Sequence, residues 1–420
     1  MSKNKADKTK VLRVFETFSG IGAQHRALEI VKKQFGFDYK IVATSEWDIY
    51  ANISYNTIHY PHKKINLNID INRIDNYLEK FNHSSNGKDP IRKKISSFSE
   101  NIKRELYDAY LNSNNLGSIL SVTGEQLIKS VGNKGIDLLT YSFPCQDLST
   151  AGSFSKKAFG MKKGSGTRSG LLWEIERILF DLQKLNQLPQ FLLLENVNNM
   201  LSKQHKLDYD MWTKSLKQLG YSTCTFQLNA LDYGSAQRRK RVYAISILNY
   251  DGLIDSNGNI LDLEAPIFDG KQKQLKDVLK TNYKIEKYYQ EAYLAQPNRT
   301  FSRIKYVIPK YDLLNPNCYC TSTITTRQDR FPNGGYINLK NTILGDDYRE
   351  KDHNNLPKKA NFRLLTNREA YLLMGFNEKD FEAIQAKGIS KAKMYQQAGN
   401  SIVVDVMVYL MKLIQERFNK

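Results

Sequence analysis

Cysteine is scarce, with four in 420 residues, at positions 145, 224, 318 and 320. So few thiols exclude a disulfide scaffold and fit a reducing compartment. Cys318 and Cys320 are one residue apart, which is not zinc-pair spacing. No third and fourth ligands accompany them, so no metal is expected. Long apolar runs are missing too. The best stretch, Val403 to Met411, is broken by Asp405 and falls short of the ~20 residues that cross a bilayer. The basic N-terminus leads only into a short strand-like run, which argues against a secretory leader. No membrane association is expected, and the cytoplasm is the expected compartment. The turn FSGIG lacks the full GxGxxG fingerprint of a dinucleotide enzyme, and GSGTRSG lacks the Lys-Ser/Thr ending of a phosphate-binding loop. Dehydrogenase and ATPase readings both lose their support.

Basic residues are abundant. Sixty-two Lys and Arg against 43 Asp and Glu leave a net charge of +19, which points to a polyanionic partner. Residues 156–168 hold Lys156, Lys157, Lys162, Lys163 and Arg168 with no acid, and 237–241 reads QRRKR. With 41% hydrophobic and 25% charged residues, the chain is expected to be globular, with about two or three domains by length.

The chain opens with the strand VLRVF, a glycine-bearing turn, a helix from Ala23 to Lys33, and the strand KIVATSE ending at Glu46. That order begins a nucleotide-binding α/β half. From about 61 to 134 the pattern blurs into an Asn-, Lys- and Ser-rich insertion. Regular punctuation resumes with the strand GIDLLTYSF, the helix GLLWEIERILFDL, the near-continuous apolar strand FLLLE and the strand RVYAIS. Composition shifts near 249, and a Tyr- and Asn-rich region with short alternating strands runs to about 356. Helical pattern then returns, with Val404, Met407, Met411 and Ile414 on one stripe.

Cys145 lies in SFPCQDLS, directly after a buried-type strand. That is the carboxyl edge of the sheet, where open α/β folds place ligands. A cysteine is ordinarily a small buried hydrophobe. A polar turn and the basic stretch that follows favour a nucleophilic thiolate here. Glu195 ends FLLLENV at the same kind of edge. It reads either as a surface acid or as a general acid or hydrogen-bonding anchor facing Cys145. No histidine has an evident role as base, which weakens a cysteine–histidine hydrolase. Gly20 and Gly22 permit close approach of backbone to a ligand. Glu46 suits ribose hydroxyls, and Phe18 and Trp47 offer flat surfaces for an adenine ring.

FETFSGIG, SEW, SFPCQDLS, TRSGLLWEIERI, LLLENV, LNALDYGSAQRRKRVYAIS, RLLTNREAYLLMGF and YQQAGNSIVVDVMVYL follow one another in that order. Together they resemble a DNA cytosine-5 methyltransferase of the bacterial restriction–modification type. The resemblance implies a Rossmann-like α/β sheet with helices on both faces that binds S-adenosylmethionine, plus a smaller, irregular β-rich target-recognition domain. The expected division is 11–249 for catalysis and cofactor, 250–356 for target recognition, and 357–420 returning to the catalytic domain. The implied reaction transfers a methyl group to C5 of a flipped-out cytosine in a specific duplex sequence, through a covalent Cys145–C6 intermediate.

By the same resemblance Cys145 is the nucleophile, Glu195 the acid at N3, and Arg239 and Arg241 the two arginines of the QxRxR pattern. Phe18, Gly20, Gly22, Glu46 and Trp47 match the cofactor pocket, closed by Asn400 and Ser401. Asp70 is the candidate for the family's Gly-Asp-Ile acid, although its glycine is missing. DNA contacts are expected from Gln146, Ser149, Lys156, Lys157, Lys162, Lys163, Arg168 and Gln237. They are also expected from Thr323, Ile324, Arg327, Gln328 and Arg330, with Asp329 and Asn333 as further reading residues. The implied partners are double-stranded DNA, bound by a monomer, and a separate restriction endonuclease of the same site. Two other readings compete: the same chemistry on RNA, and a DNA-binding regulator without activity.

Overall fold

The computed structural model describes residues 10–65, 68–145, 148, 160–164, 166–302, 305, 311–330, 333–345 and 358–420. In chain order β1 is Val11–Thr17, α1 Ala23–Phe35, β2 Asp38–Ser45, α2 Ile49–His59, α3 Ile71–Leu78, α4 Glu100–Ser113 and α5 Gly124–Val131. Then come β3 Leu138–Tyr141, α6 Leu172–Lys184, β4 Phe191–Val197, α7 Lys206–Gln218, β5 Tyr221–Asn229, β6 Gln237–Arg238 and β7 Lys240–Leu248.

Among the described residues, one 6-stranded sheet has the order β2-β1-β3-β4-β7-β5. The pairs β1–β2, β1–β3 and β3–β4 are parallel, and β7 runs antiparallel to β4. Every residue of β3 and six of the seven in β4, BBBBBBi, are buried. That is the pattern of strands covered by helices on both faces. One cover is α6, whose Leu172, Ile175, Ile178, Leu179 and Leu182 are fully buried at helical spacing. From β1 the chain first adds β2 on one side, then crosses to add β3 on the other. The carboxyl ends of β1 and β3 therefore flank a topological switch point, the natural ligand crevice of such a sheet.

The polar insertion is folded. Its helices α3 and α4 bury Ile74, Leu78, Leu106 and Tyr110. The returning chain lies along β2, where Thr44 N–H donates to Asn114 O and Leu116 N–H to Thr44 O.

Two compact units emerge. The sheet unit runs to 228 and includes 240–267 and 407–420; the second comprises 229–239 and 268–406. These limits differ from a division at 249 and 356. The turn around Gly258 adds to β5, because Thr223 N–H donates to Gly258 O and Ile260 N–H to Thr223 O. Residues 358–406 stay in the second unit, where the buried Arg363 donates to Glu369, the Tyr283 hydroxyl and Lys280 O. Of the helix Val404–Phe418, all but the first three residues belong with the sheet unit, where Gln415 Nε2 donates to Asp38 O.

The second unit is less β-rich than its composition suggests. Its described strands are short: β6 pairs with β8 (Thr321–Ser322), and β9 (Tyr336–Asn338) with β10 (Phe362–Leu364). Helices Glu286–Ala295, Asn367–Leu373, Glu378–Ala386 and Lys391–Asn400 contribute more residues. Capping boxes at Thr366/Glu369 and Asn377/Asp380 start two of them. The stretch Lys391–Phe418 is long and apolar enough to cross a membrane by composition, but it is mostly buried within the protein and is two helices, not one.

Candidate active site

Adjacent parallel strands β3 and β4 deliver the central residues. Just past β3, Ser142 donates its hydroxyl to Glu195 Oε2 at 2.6 Å. Across β4, Val197 pairs with Arg241 and Glu195 with Tyr243, so Arg241 approaches Glu195 diagonally, with Nε 3.4 Å from Oε1. The Glu195 and Arg241 side chains are only 8% and 14% exposed. The carboxyl group is thus clamped from both sides and aimed, unlike a surface acid.

Cys145 follows on the same strand extension and is half-buried, so it is not a core hydrophobe. Its backbone is tied down from several directions. Leu148 N–H donates to Cys145 O, Ser169 Oγ to Pro144 O at 2.7 Å, and Asn196 Nδ2 to Phe143 O at 3.1 Å. Asn199 Nδ2 holds Leu148 O at 2.6 Å. Such fixed surroundings leave the backbone on either side of Cys145 little freedom to reorient. Ser142, Asn196, Asn199 and Ser169 were not singled out from sequence, although two of them sit in the ENVNN that carries Glu195.

The glycine turn after β1 has left-handed backbone at Phe18 (φ 51), Gly20 (φ 55) and Gly22 (φ 79). The two glycines answer different needs. A Cβ on Gly20 would meet only Phe18 O at 3.9 Å, so space is open there for a ligand. A Cβ on Gly22 would collide with the rings of His59 and Tyr55. Glu46, at the end of β2, accepts from the backbone N–H of Gly20 (3.0 Å), Trp47 (2.9 Å) and Asp48 (2.8 Å). Burial pushes its pKa up to about 7, aided by the nearby Asp48 charge and opposed by those three N–H groups. Each carboxylate oxygen has two lone pairs, so Oε2 has capacity left for a hydroxyl donor. An open cradle beside a partly exposed acid and the half-buried rings of Phe18 and Trp47 fits a nucleoside-bearing cofactor.

The insertion supports this pocket. Asn115 is buried and uses both ends of its amide on Glu46: Oδ1 accepts from Glu46 N–H and Nδ2 donates to Glu46 O, with Asn52 and Gly117 as its other partners. Asp70 does not take part. It is exposed and caps α3 through Asn72 N–H. The chain leaves β2 for α3 and returns only at Asn115–Ile119, bringing the glycine absent near Asp70, Gly117 (φ 76).

The remaining candidates separate. Gln146, Ser149, Lys156 and Lys157 lie outside the described residues. Lys162 is exposed. Lys163 is paired with Glu176, over the ring of Trp173. Arg168 is half-buried, and its Nη1 makes no hydrogen bond among the described residues. Gln237 is fully buried in the second unit, donating to Leu373 O and accepting from Ile324 N–H, so it faces no DNA.

Arg239 is buried in the same unit, and its guanidinium donates to Ile324 O, Gly399 O and Ser401 O, each at 2.9 Å. It is a cross-tie there. Ile324 and Gln328 are buried too, Gln328 accepting from Gly334 N–H. Thr323 donates to Arg238 O and Asn333 to Thr323 O. Arg327 and Arg330 are exposed, the latter 3.7 Å from Asp329. In the Lys391–Asn400 helix and the bend after it, Asn400 is exposed and Ser401 nearly buried.

Residues 93–416 match the family described as C-5 cytosine-specific DNA methylase. The chain is 35% identical over 416 residues to the orphan methyltransferase M.SssI of Spiroplasma monobiae, covering 96% of each. It is 29% identical over 411 residues to the type II methyltransferase M2.ScrFI of Lactococcus lactis subsp. cremoris, covering 96% of this chain and 98% of that one. Among solved structures, the S. pombe Dnmt2 methyltransferase is similar in fold, with a TM-score of 0.60 at 20% identity, covering 98% of this chain and 100% of that one. The chain belongs to the C5-cytosine DNA methyltransferase family. It is accordingly an S-adenosylmethionine-dependent enzyme that methylates C5 of cytosine, and DNA is its partner.

Proposed function

We propose that Cys145, Glu195 and Arg241 act on a cytosine turned out of duplex DNA, and that the second unit reads a specific sequence. The observation that carries this is Glu195 held between the Ser142 hydroxyl and Arg241, on the strand beside the one that leads to Cys145. C5 of cytosine is too weak a nucleophile to take a methyl group unaided. The Cys145 thiolate adds to C6, forming an S–C bond and pushing the ring electrons toward C5. Glu195 holds N3 and supplies the hydrogen bond or proton that stabilises the developing charge, while Arg241 keeps Glu195 in place. Bound S-adenosylmethionine supplies an electrophilic methyl group; Glu46 and the turn from Phe18 to Gly22 would hold it, with Trp47. Once C5 is methylated, its proton leaves to a base, the C5=C6 bond reforms and Cys145 is expelled. A stacked base exposes neither face of its ring, so the nucleotide must flip out.

The net charge of +19 supports phosphate binding. Among the basic residues after Cys145, Lys162 and Arg168 are the best phosphate contacts. Lys162→Ala and Arg168→Ala should each lower the steepness of log affinity against log salt by about 1. Lys163→Ala should change it less, because its ammonium is already paired with Glu176. Binding isotherms at several salt concentrations check this, and equal slopes throughout would remove the phosphate assignment. In the second unit, Thr323, Arg327 and Arg330 are the proposed reading residues, being at least partly exposed.

Transfer of labelled methyl groups to duplex DNA and to tRNA, side by side, tests the whole reading. Label is expected in cytosines of one duplex sequence, located by genome-wide methylcytosine mapping. Label in tRNA alone would favour the RNA reading, and binding without transfer an inactive regulator. Action as a monomer in the cytoplasm belongs to the same proposal. Any nuclease sharing the target would be a separate chain. On this point the relatives' names differ, one being an orphan methyltransferase and another a type II methyltransferase.

A further inference from the structure

Behind the glycine turn lies a buried polar cluster that the reaction does not use. His25 and Glu29 stand on α1 and His59 ends α2, and their donor atoms lie within 4.8 Å of one another. That spacing suggests a metal ion, but the ring geometry argues against one. The two imidazoles are stacked, with centroids 4.0 Å apart and planes 13° from parallel. Ring lone pairs lie in the ring plane, so two parallel rings cannot both point at one ion at the ~2.0 Å of a metal–nitrogen bond. Protons must hold the cluster instead.

The hydrogen bonds show where those protons sit. The Tyr55 hydroxyl donates to Glu16 Oε2 at 2.6 Å, so at 2.9 Å it receives from His25 Nδ1–H. His25 is kept neutral, its pKa pushed well below the usual value by burial and then by the charges of His59 and Arg26. His59 differs. Its Nδ1 lies 2.9 Å from Glu29 Oε1 and its Nε2 lies 3.3 Å from Ile21 O. Both are acceptors, so the ring spans from Glu29 to the backbone of the turn. Burial would raise the Glu29 pKa, but the hydrogen bond and charge of His59, with Arg26, outweigh it and hold Glu29 ionised. The His59 side chain is wholly buried and packs where a Cβ on Gly22 would stand. It therefore forms the floor of the turn and grips the turn's backbone at Ile21.

We infer that His59 is a positioning residue for the cofactor turn, held by Glu29 at one ring nitrogen and gripping the Ile21 carbonyl with the other. The inference rests on the proposed assignment of the Phe18–Gly22 turn to S-adenosylmethionine. A side chain that cannot span both acceptors leaves Ile21 O or Glu29 without its partner, and the turn loosens.

The test is calorimetric affinity of the full-length protein for S-adenosylmethionine, without DNA. Wild type, His59→Gln and Glu29→Gln are compared, each checked by thermal unfolding. Both variants should bind about fivefold more weakly than wild type, while methyl transfer at saturating cofactor should keep the wild-type rate. Wild-type affinity in folded His59→Gln would overturn the inference, as would a wild-type affinity that falls on dialysis against a metal chelator. Gly20→Val separates the two levels. If it binds normally, the turn assignment fails. If it loses binding while His59→Gln matches wild type, this inference alone fails.

Discussion

Cys145→Ser should bind duplex DNA with wild-type affinity and salt dependence, yet transfer no measurable methyl group. A serine hydroxyl at neutral pH holds its proton, whereas a thiol with an ordinary value of about 8.5 is already partly ionised and is intrinsically the better nucleophile. By comparison with removal of nucleophiles elsewhere, the loss should be on the order of 10⁴-fold or more. Binding should survive because the fixing bonds around the thiol go to backbone oxygens of Phe143, Pro144, Cys145 and Leu148, none of which the substitution touches. A duplex whose target cytosine carries fluorine at C5 gives the second readout. With S-adenosylmethionine present, C5 is methylated but carries no proton that can leave, so the S–C6 bond can no longer be eliminated. Wild type should accumulate a protein–DNA adduct stable to denaturant, and Cys145→Ser none. Transfer by the serine variant at more than a few per cent of the wild-type rate, or the lack of any wild-type adduct, would sink the nucleophile assignment.

The placement of Cys145 and Glu195 at strand ends was legible in the sequence because an abrupt end to an apolar run marks the carboxyl edge of a buried strand. The polar residue just beyond such an edge has few places to be except the crevice. Direction and return paths are harder to read. QRRKR shows alternating residues but not that the chain passes, within it, from the short pairing of β6 with β8 into β7. Gln237 and Arg239 are consequently bound up in the second unit, while Arg241 meets Glu195. Asp70 was sought because it follows β2 closely in sequence. The chain instead makes α2, α3 and α4 before Asn115, bonded in turn by Gly117 N–H, returns to Glu46. The buried face of α3 is narrow, with Ile74 and Leu78 its buried pair, so polar composition hid a folded scaffold. The division into units was obscured for a related reason. Composition reports how polar a segment is, not which core its few apolar residues join.

Glu195→Gln should lower the single-turnover rate of methyl transfer by about 10² to 10³, the usual cost of losing one group aimed at developing charge. The amide preserves shape and can still touch the ring. It cannot give N3 a proton, and its NH2 end presents two donors either to the Ser142 hydroxyl, which now donates to Oε2, or to the Arg241 guanidinium, which now pairs with Oε1 at 3.4 Å. One of those contacts must therefore break or turn. Affinity for S-adenosylmethionine should not change, since the cofactor turn is anchored through Glu46 and not through Glu195. Ser142→Ala isolates the orienting part. It leaves the carboxyl group intact beside Arg241 but removes its 2.6 Å partner. A fall of about tenfold is expected, the worth of one hydrogen bond to a charged group. The order of the two effects is the informative result. A Ser142→Ala loss as large as that of Glu195→Gln would mean that orientation is the whole contribution of the acid. A Glu195→Gln enzyme within a few-fold of wild type would show that charge at N3 is stabilised by some other group.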